Sequence, residues 1–548
     1  MKKIQIKIYY ILLMLAGVLC YSSCTEDLVV AEDVRLFRPV LNKPLSSVNN
    51  TITVNIGLLK TAVGYKIELS KDNFATPAIR SVQISDTTSI VVFDKLLWNT
   101  TYYVRGMAFA ANPELNSKTA EFGFVKTERF PSILNIPQSV DIIDNGLNVR
   151  WTTSGAPVTT IKVFAASDED LAKPLATYQT TAAQQVAGLR SVKQLAPSTS
   201  YTVAIYSDDV LRGFELFTTK PALPTTGIIV DLRGADIPTP DDGSFLFDQL
   251  TNAAAGSTII LDGDQTYRLK SNYLIDKSLT IKSGYSLTSG GATIDLTSSG
   301  QFEIAANATI GSIIIDGVRF LGTTSKYVFN AGVAVSSTVG NITLVNCDFT
   351  SFRNLIRTRT QWTSGGIGQF TIDNCFLSDF SNAGLVAVDG GANNTLSNVT
   401  FKNSTFWKVQ KLVNNRSTTN SKSLNILDCT FSESPRNGQL IEYVNTTDIT
   451  DGLIVRNTIF GRGADNGATP PVYDNPFVKA GNLPGTALTF SNTYKTNDFS
   501  FNATTAPTNN TYNGSITDLW EDPLNGNFKF KDKTFVGKSS AGALRWRL

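Results

Sequence analysis

The chain has 548 residues, more than one ordinary hydrophobic core can hold, so several domains are expected. Hydrophobic residues make up 42% and charged residues 17%, with 40 glycines, a balance that suits a well-buried, β-rich, exported protein and excludes a disordered one. The net charge of +2 gives no global pull towards nucleic acid, and the complete lack of histidine removes His general bases, Ser-His-Asp triads and His-ligated metals.

Residues 1–23 read as a signal peptide. Lys2, Lys3 and Lys7 make a basic start, and residues 8–19 are almost wholly apolar, too short a run to span a bilayer. Tyr21-Ser22-Ser23-Cys24 then resembles a lipobox, the site at which Cys24 is diacylated after cleavage. Thr25-Glu26-Asp27 resembles the acidic surface-export signal of Bacteroidetes lipoproteins. Together these imply an outer-membrane lipoprotein facing the cell exterior, touching the membrane through the lipid anchor alone, with residues 24–35 as its tether.

Short alternating strands with polar turns follow to about residue 219, which indicates antiparallel sandwiches. Leu195-Ala196-Pro197-Ser198-Thr199-Ser200-Tyr201 matches the L-x-P-x-T-x-Y of fibronectin type III domains, and Trp151 stands where that family keeps a core tryptophan. The resemblance assigns residues 129–219 to one such domain. An earlier copy over 36–128 carries Leu97-Trp98-Asn99-Thr100-Thr101-Tyr102-Tyr103, read with Asn99 in place of the proline, and has Ile56 where the tryptophan would be. Residues 220–226, with Pro221 and Pro224, form a short stiff linker.

The remainder, 227–548, carries an internal repeat of an eight-residue phrase. Clear copies begin at Ile313, Ile342, Phe370, Val399, Leu424 and Leu453, and weaker ones at Leu279 and Leu488. Positions one and three are apolar and face one side of a strand. Position five is Asn346, Asn374, Asn403, Asp428, Asn457 or Asn492, residues that tolerate the left-handed backbone of a sharp bend. Position eight, usually Phe, begins a second apolar side. Repeated every turn, this describes one coil of a parallel β-helix, with the asparagines as an amide ladder and the phenylalanines as a core stack. Cys347, Cys375 and Cys429 share position six and read as small buried residues, with Cys347 and Cys375 close enough to bond. Residues 247–261 read as a capping helix feeding the first strand and, with Gly263 and Tyr267, resemble the entry of pectate-lyase-like β-helices. Residues 520–530 and 542–547 resemble the endings of uncharacterised pectate-lyase-like proteins of Bacteroidetes glycan-utilisation loci, with Ala543-Leu544 departing from their pattern. The fold expected is therefore all-β: two antiparallel sandwiches followed by a right-handed parallel β-helix.

Each coil has a third strand, and its outward positions are where a site would lie. Aligned by the phrase, one outward column is Arg357, Ala387, Asn414, Glu442 and the next is Arg359, Asp389, Arg416, Val444. Arginines flanking an aspartate make a patch for an acidic sugar, since Arg pairs carboxylates bidentately, and Trp362 on the loop after Arg359 would stack on a sugar ring. The same columns read equally well as an ion-pair ladder that only stabilises the sheet. No catalytic residue is assigned and no metal site or cofactor is expected. A polysaccharide lyase would draw on Arg357, Arg359, Arg416 and Lys411, and Ca²⁺ would enter only in that case. The expected role is binding a pectin-like acidic polysaccharide, alongside neighbouring glycan-uptake proteins and with no nucleic-acid partner. A lyase acting by β-elimination and a purely structural or adhesive surface protein are the alternatives.

Overall fold

The structure is a computed structural model that describes residues 34–223, 227–235, 237–238, 241–288, 290–390, 396–435, 438–444, 446–463, 476–499, 501 and 509–548. The leader, Cys24 and Pro224 lie outside the described residues. The fold is nearly all β, 44% strand against 6% helix. It divides into two compact units: one runs to Ile136 and takes in Arg150–Leu189 and Ser200–Phe217, and the other holds Pro137–Val149, Arg190–Thr199 and Thr218–Leu548.

In the first unit, strands Ser46–Val48, Thr51–Asn55 and Ile90–Phe93 form one antiparallel sheet. Arg80–Ser85, Gly64–Ser70, Thr101–Phe109 and Ala120–Lys126, in that order, form the other. The strand period of two drives Tyr102, Val104 and Ala108 inward, into a core shared with Ile52, Val54, Ile56 and Ile67. The tyrosine corner is one residue earlier than the sequence reading placed it. The buried phenol of Tyr102 accepts the Leu97 N–H at 3.0 Å. Trp98, not Asn99, therefore replaces the proline, and Asn99 (φ 52°) matches Ser198 (φ 49°), a left-handed position that proline cannot occupy. A third antiparallel sheet, Ala176–Gln179, Thr160–Ala165, Ser200–Ser207 and Val210–Thr218, carries the later fibronectin-like motif. Its companion pair, Gly146–Arg150 with Leu189–Lys193, groups for the most part with the second unit. Within that unit Asp144 meets Arg233 at 2.6 Å, and the Asn148 amide donates to the Leu287 carbonyl at 2.6 Å.

The second unit is a parallel β-solenoid of about eight turns, built from three sheets. The first runs through ten strands from Ile229–Asp231 to Leu488–Ser491, the second through ten from Thr266–Arg268 to Asn510–Tyr512, and the third through seven from Tyr273–Ile275 to Ile441–Tyr443. The phrase sets the register of the first sheet: Leu279, Ile313, Ile342, Phe370, Val399, Leu424, Leu453 and Leu488 pair in sequence, so the two weak copies belong to the same column. Position five supplies the bend between the first and second sheets. Asn346, Asn374, Asn403, Asp428, Asn457 and Asn492 all lie at φ between 49° and 56°. Position eight fills the core beneath the second sheet, where Phe320 stacks on Phe349 at 5.1 Å, and Phe406, Phe431 and Phe460 stack at 4.6 and 5.1 Å. Leu377 separates the two stacks. The helix Ser244–Asn252 buries Leu246 and Leu250 in the same core, covering apolar surface that the first coils would otherwise expose. Cys347, Cys375 and Cys429 are free, fully buried thiols, each directed at a backbone carbonyl within 3.1–3.3 Å. Among the described residues no helix is long and apolar enough to cross a membrane.

The asparagine ladder is broken where the chain inserts an acid. Asn374 donates to Asn346 at 2.7 Å and Asn346 to Asp316 at 2.8 Å, while Asn403 turns to Asp373 at 2.8 Å. The run resumes with Asn492 on Asn457 and Asn457 on Asp428, both at 2.9 Å. The C-terminal residues lie back across these bends. The Gly542 N–H donates to Asn457, the Trp546 indole to Thr405, the Arg547 guanidinium to Asp428 at 2.5 Å and the Arg545 guanidinium to the Asn374 carbonyl. Gly542 is required there: at φ 80° it lies so close to Thr430 that a Cβ would fall 2.9 Å from the hydroxyl oxygen. The preceding segment packs Trp520, Phe528 and Phe530 around Phe376, Trp407 and Ile459 on the outer side of the second sheet.

Candidate functional site

The third sheet presents the outward columns. Its strands alternate, so Phe302, Phe329, Ile356, Val386, Val413 and Ile441 face the core, and the following residues form a column facing away. That column runs Leu274, Glu303, Asn330, Arg357, Ala387, Asn414, Glu442, one residue per coil. Although it points outward it is sunken: Glu303, Asn330, Ala387, Asn414 and Glu442 are only 6–9% exposed, overhung by their neighbours' side chains.

Two ion clusters occupy the strip. At one, Arg357 donates two N–H bonds to Asp389, at 2.7 and 3.1 Å, and a third to the Tyr327 hydroxyl at 3.0 Å. Arg359 approaches the same carboxylate less closely, at 3.8 Å, and its buried Nε has no hydrogen-bond partner among the described residues. Arg416 follows on the next coil, with its backbone N–H on the Val388 carbonyl, and Val444 stands exposed beyond it. At the other cluster, Glu442 sits between Lys411 and Lys479, the latter at 2.7 Å. Burial pushes the Glu442 carboxyl up, but hydrogen bonds from both lysines outweigh it and hold the group down to about 2. Between the clusters lie Ala387 and Asn414. The Asn414 amide nitrogen reaches the Ala383 carbonyl at 3.3 Å, and its oxygen has no hydrogen-bond partner among the described residues, as is true of the Asn330 oxygen further along.

The arrangement departs from the sequence reading in two respects. Asp389, flanked in its column by Arg359 and Arg416, also takes two close bonds from Arg357, assigned to the neighbouring column. Trp362 does not reach the strip at all. It is 1% exposed, lies within the core of the solenoid and donates its indole N–H to the Ser337 carbonyl at 2.8 Å. An indole gains more from burial with its one donor satisfied than from solvent exposure on a loop. Conversely, the sequence alignment began at Leu355 and so missed Glu303, Asn330 and Tyr327 on earlier coils. Lys479 was also missed, because the aligned coils stopped at Leu440–Val444, although Val478 pairs with Ile441 and puts Lys479 in the same column. Among the described residues no group of three Asp, Glu, Cys or His side chains is placed to hold a metal ion.

The family model of a domain of unknown function (DUF5123) matches residues 424–546, from the Leu424 phrase to the C-terminal strap. No curated protein matches the chain. Among solved structures, the chain is similar to the FN1–FN3 domains of chicken CNTN1, with 15% identity over 34% of this chain and 68% of that one and a TM-score of 0.15. It is also similar to a two-domain fibronectin type III segment of chicken tenascin, with 13% identity over 33% of this chain and 99% of that one and a TM-score of 0.16.

Proposed function

We propose that this is a lipid-anchored outer-membrane lipoprotein of Bacteroidetes type whose pectate-lyase-like β-helix binds an acidic, pectin-like polysaccharide along the third sheet and passes it to neighbouring uptake proteins. The observation that carries the reading is the sunken polar strip itself. Cations stand at its middle and at its Glu442 end, and between and beside them the Arg359 Nε, 3.8 Å from Asp389, and the oxygens of Asn330 and Asn414 are desolvated without hydrogen-bond partners among the described residues. Buried polar atoms of this kind cost free energy unless something satisfies them, and a chain of hydroxyls and carboxylates would do so. Arg359 and Lys479 retain exposed guanidinium and ammonium surface for a sugar carboxylate. Arg357 and Lys411, two of the cations a lyase would draw on, are each engaged by a carboxylate, Asp389 and Glu442, which favours binding over cleavage. Affinity electrophoresis of the soluble protein against a panel of uronic-acid polysaccharides, with and without Ca²⁺, tests the reading. Retardation without the ultraviolet-absorbing unsaturated product of β-elimination is expected. Appearance of that product would make the protein a lyase, and neither signal across the panel would leave a structural or adhesive role.

A further inference from the structure

A cavity lies on a different sheet. Where the second sheet ends, Tyr494, Asn510, Tyr512, Asn513, Asp532 and Phe535 line a cavity of about 570 Å³, within the range of small-ligand pockets. Strand pairing places Tyr494 opposite Asn510 and Thr496 opposite Tyr512, so both tyrosines come from adjoining coils. Phe535 fixes them from behind, edge-on to Tyr494 at 5.0 Å and to Tyr512 at 5.5 Å. The Tyr512 hydroxyl donates to one oxygen of Asp532 at 2.9 Å, and the Thr534 N–H and hydroxyl hold the other at 2.8 and 2.6 Å. At the rim, Asn510 and Asn513 are exposed, and their side-chain amides have no partner among the described residues.

We infer that this cavity is a binding site for a neutral pyranose, separate from the polar strip of the third sheet and independent of its role. Half-buried tyrosine rings offer apolar faces to the C–H side of a sugar, and the asparagine amides both donate to and accept from its hydroxyls. The Asp532 carboxylate accepts from a further hydroxyl and opposes a uronate. Hydrogen bonds from Thr534 and Tyr512 hold that carboxyl below its usual value, so it stays charged. Burial, followed by the neighbouring Asp532, pushes the Tyr512 phenol up to about 12, so it stays a donor.

The test uses the full soluble chain with methyl glycosides of galactose, glucose, mannose and arabinose, and methyl galacturonoside as the acidic comparison. Saturation-transfer NMR reads contact and titration reads affinity. At least one neutral glycoside should bind with a millimolar Kd, and the galacturonoside, measured in the Arg359→Ala, Lys479→Ala variant so that the strip does not contribute, at least tenfold more weakly. The paired surface substitutions Asn510→Ala and Asn513→Ala should weaken neutral binding at least fivefold, while Arg357→Ala with Arg359→Ala leaves it unchanged. No transfer to any neutral glycoside, a preference for the galacturonoside in that strip variant, or binding unaltered by the asparagine substitutions would overturn the assignment. None of these results bears on retardation by acidic polysaccharides, so the two sites fail or stand separately.

Discussion

Replacing Asn374 by alanine separates the backbone and side-chain contributions of the ladder. Asn374 sits at φ 53°, where an ordinary residue with a Cβ is strained by roughly 1–2 kcal/mol. Its amide donates to Asn346 at 2.7 Å, a bond contributing about 1 kcal/mol net. The Arg545 bond to the Asn374 backbone carbonyl survives the change. Asn374→Ala should therefore destabilise the protein by about 2–3 kcal/mol. Asn374→Gly relieves the strain and loses only the amide and some unfolded-state entropy, so it should be about 1 kcal/mol less destabilising than alanine. Urea melts of the full chain, followed by circular dichroism, read both differences from the transition midpoints. Equal losses for Ala and Gly, or no loss for either, would refute the bend-plus-ladder account.

Removing residues 541–548 takes away the Trp546, Arg545 and Arg547 contacts across the bends and should lower stability by at least about 3 kcal/mol while increasing binding of a hydrophobic dye; an unchanged melt would show that the strap is dispensable. Because the folded Glu442 carboxyl is held down to about 2, its stabilising contribution is present above the ordinary value of 4.5 and is lost as pH falls from there towards 2. Glu442→Gln should accordingly make the stability profile flatter than that of the parent protein across that window, and parallel profiles would contradict the assignment. Labelled palmitate should enter the protein in its native host and fail to enter Cys24→Ala, with equal labelling ruling out the proposed anchor.

The solenoid was legible because its rule is local and repeated. An apolar pair, a bend residue that accepts a left-handed backbone and a Phe three positions later recur on successive coils, and even the weak copies at Leu279 and Leu488 pair in register. The outward columns followed from alternation alone. What was not legible depends on contacts far apart in sequence. Trp362 reads as a loop aromatic until Ser337, on the preceding coil, supplies a carbonyl for its indole. Arg545 and Arg547 bear no periodic relation to Asn374 and Asp428, more than a hundred residues earlier, so nothing local announces the strap. The corner tyrosine was misplaced by one because Tyr102 and Tyr103 adjoin, and only burial distinguishes them.

The central claim is that the sunken strip of the third sheet holds an acidic glycan through Arg359 and Lys479. Isothermal titration of the soluble protein with a galacturonan oligomer measures this most directly, repeated with the Arg359→Ala, Lys479→Ala double variant and at raised salt. The account predicts saturable binding that weakens with salt and falls at least tenfold in the double variant, while the fold, read by circular dichroism, persists. Binding of undiminished strength in the double variant would place the ligand elsewhere, and no heat with any uronic-acid oligomer would contradict the claim outright.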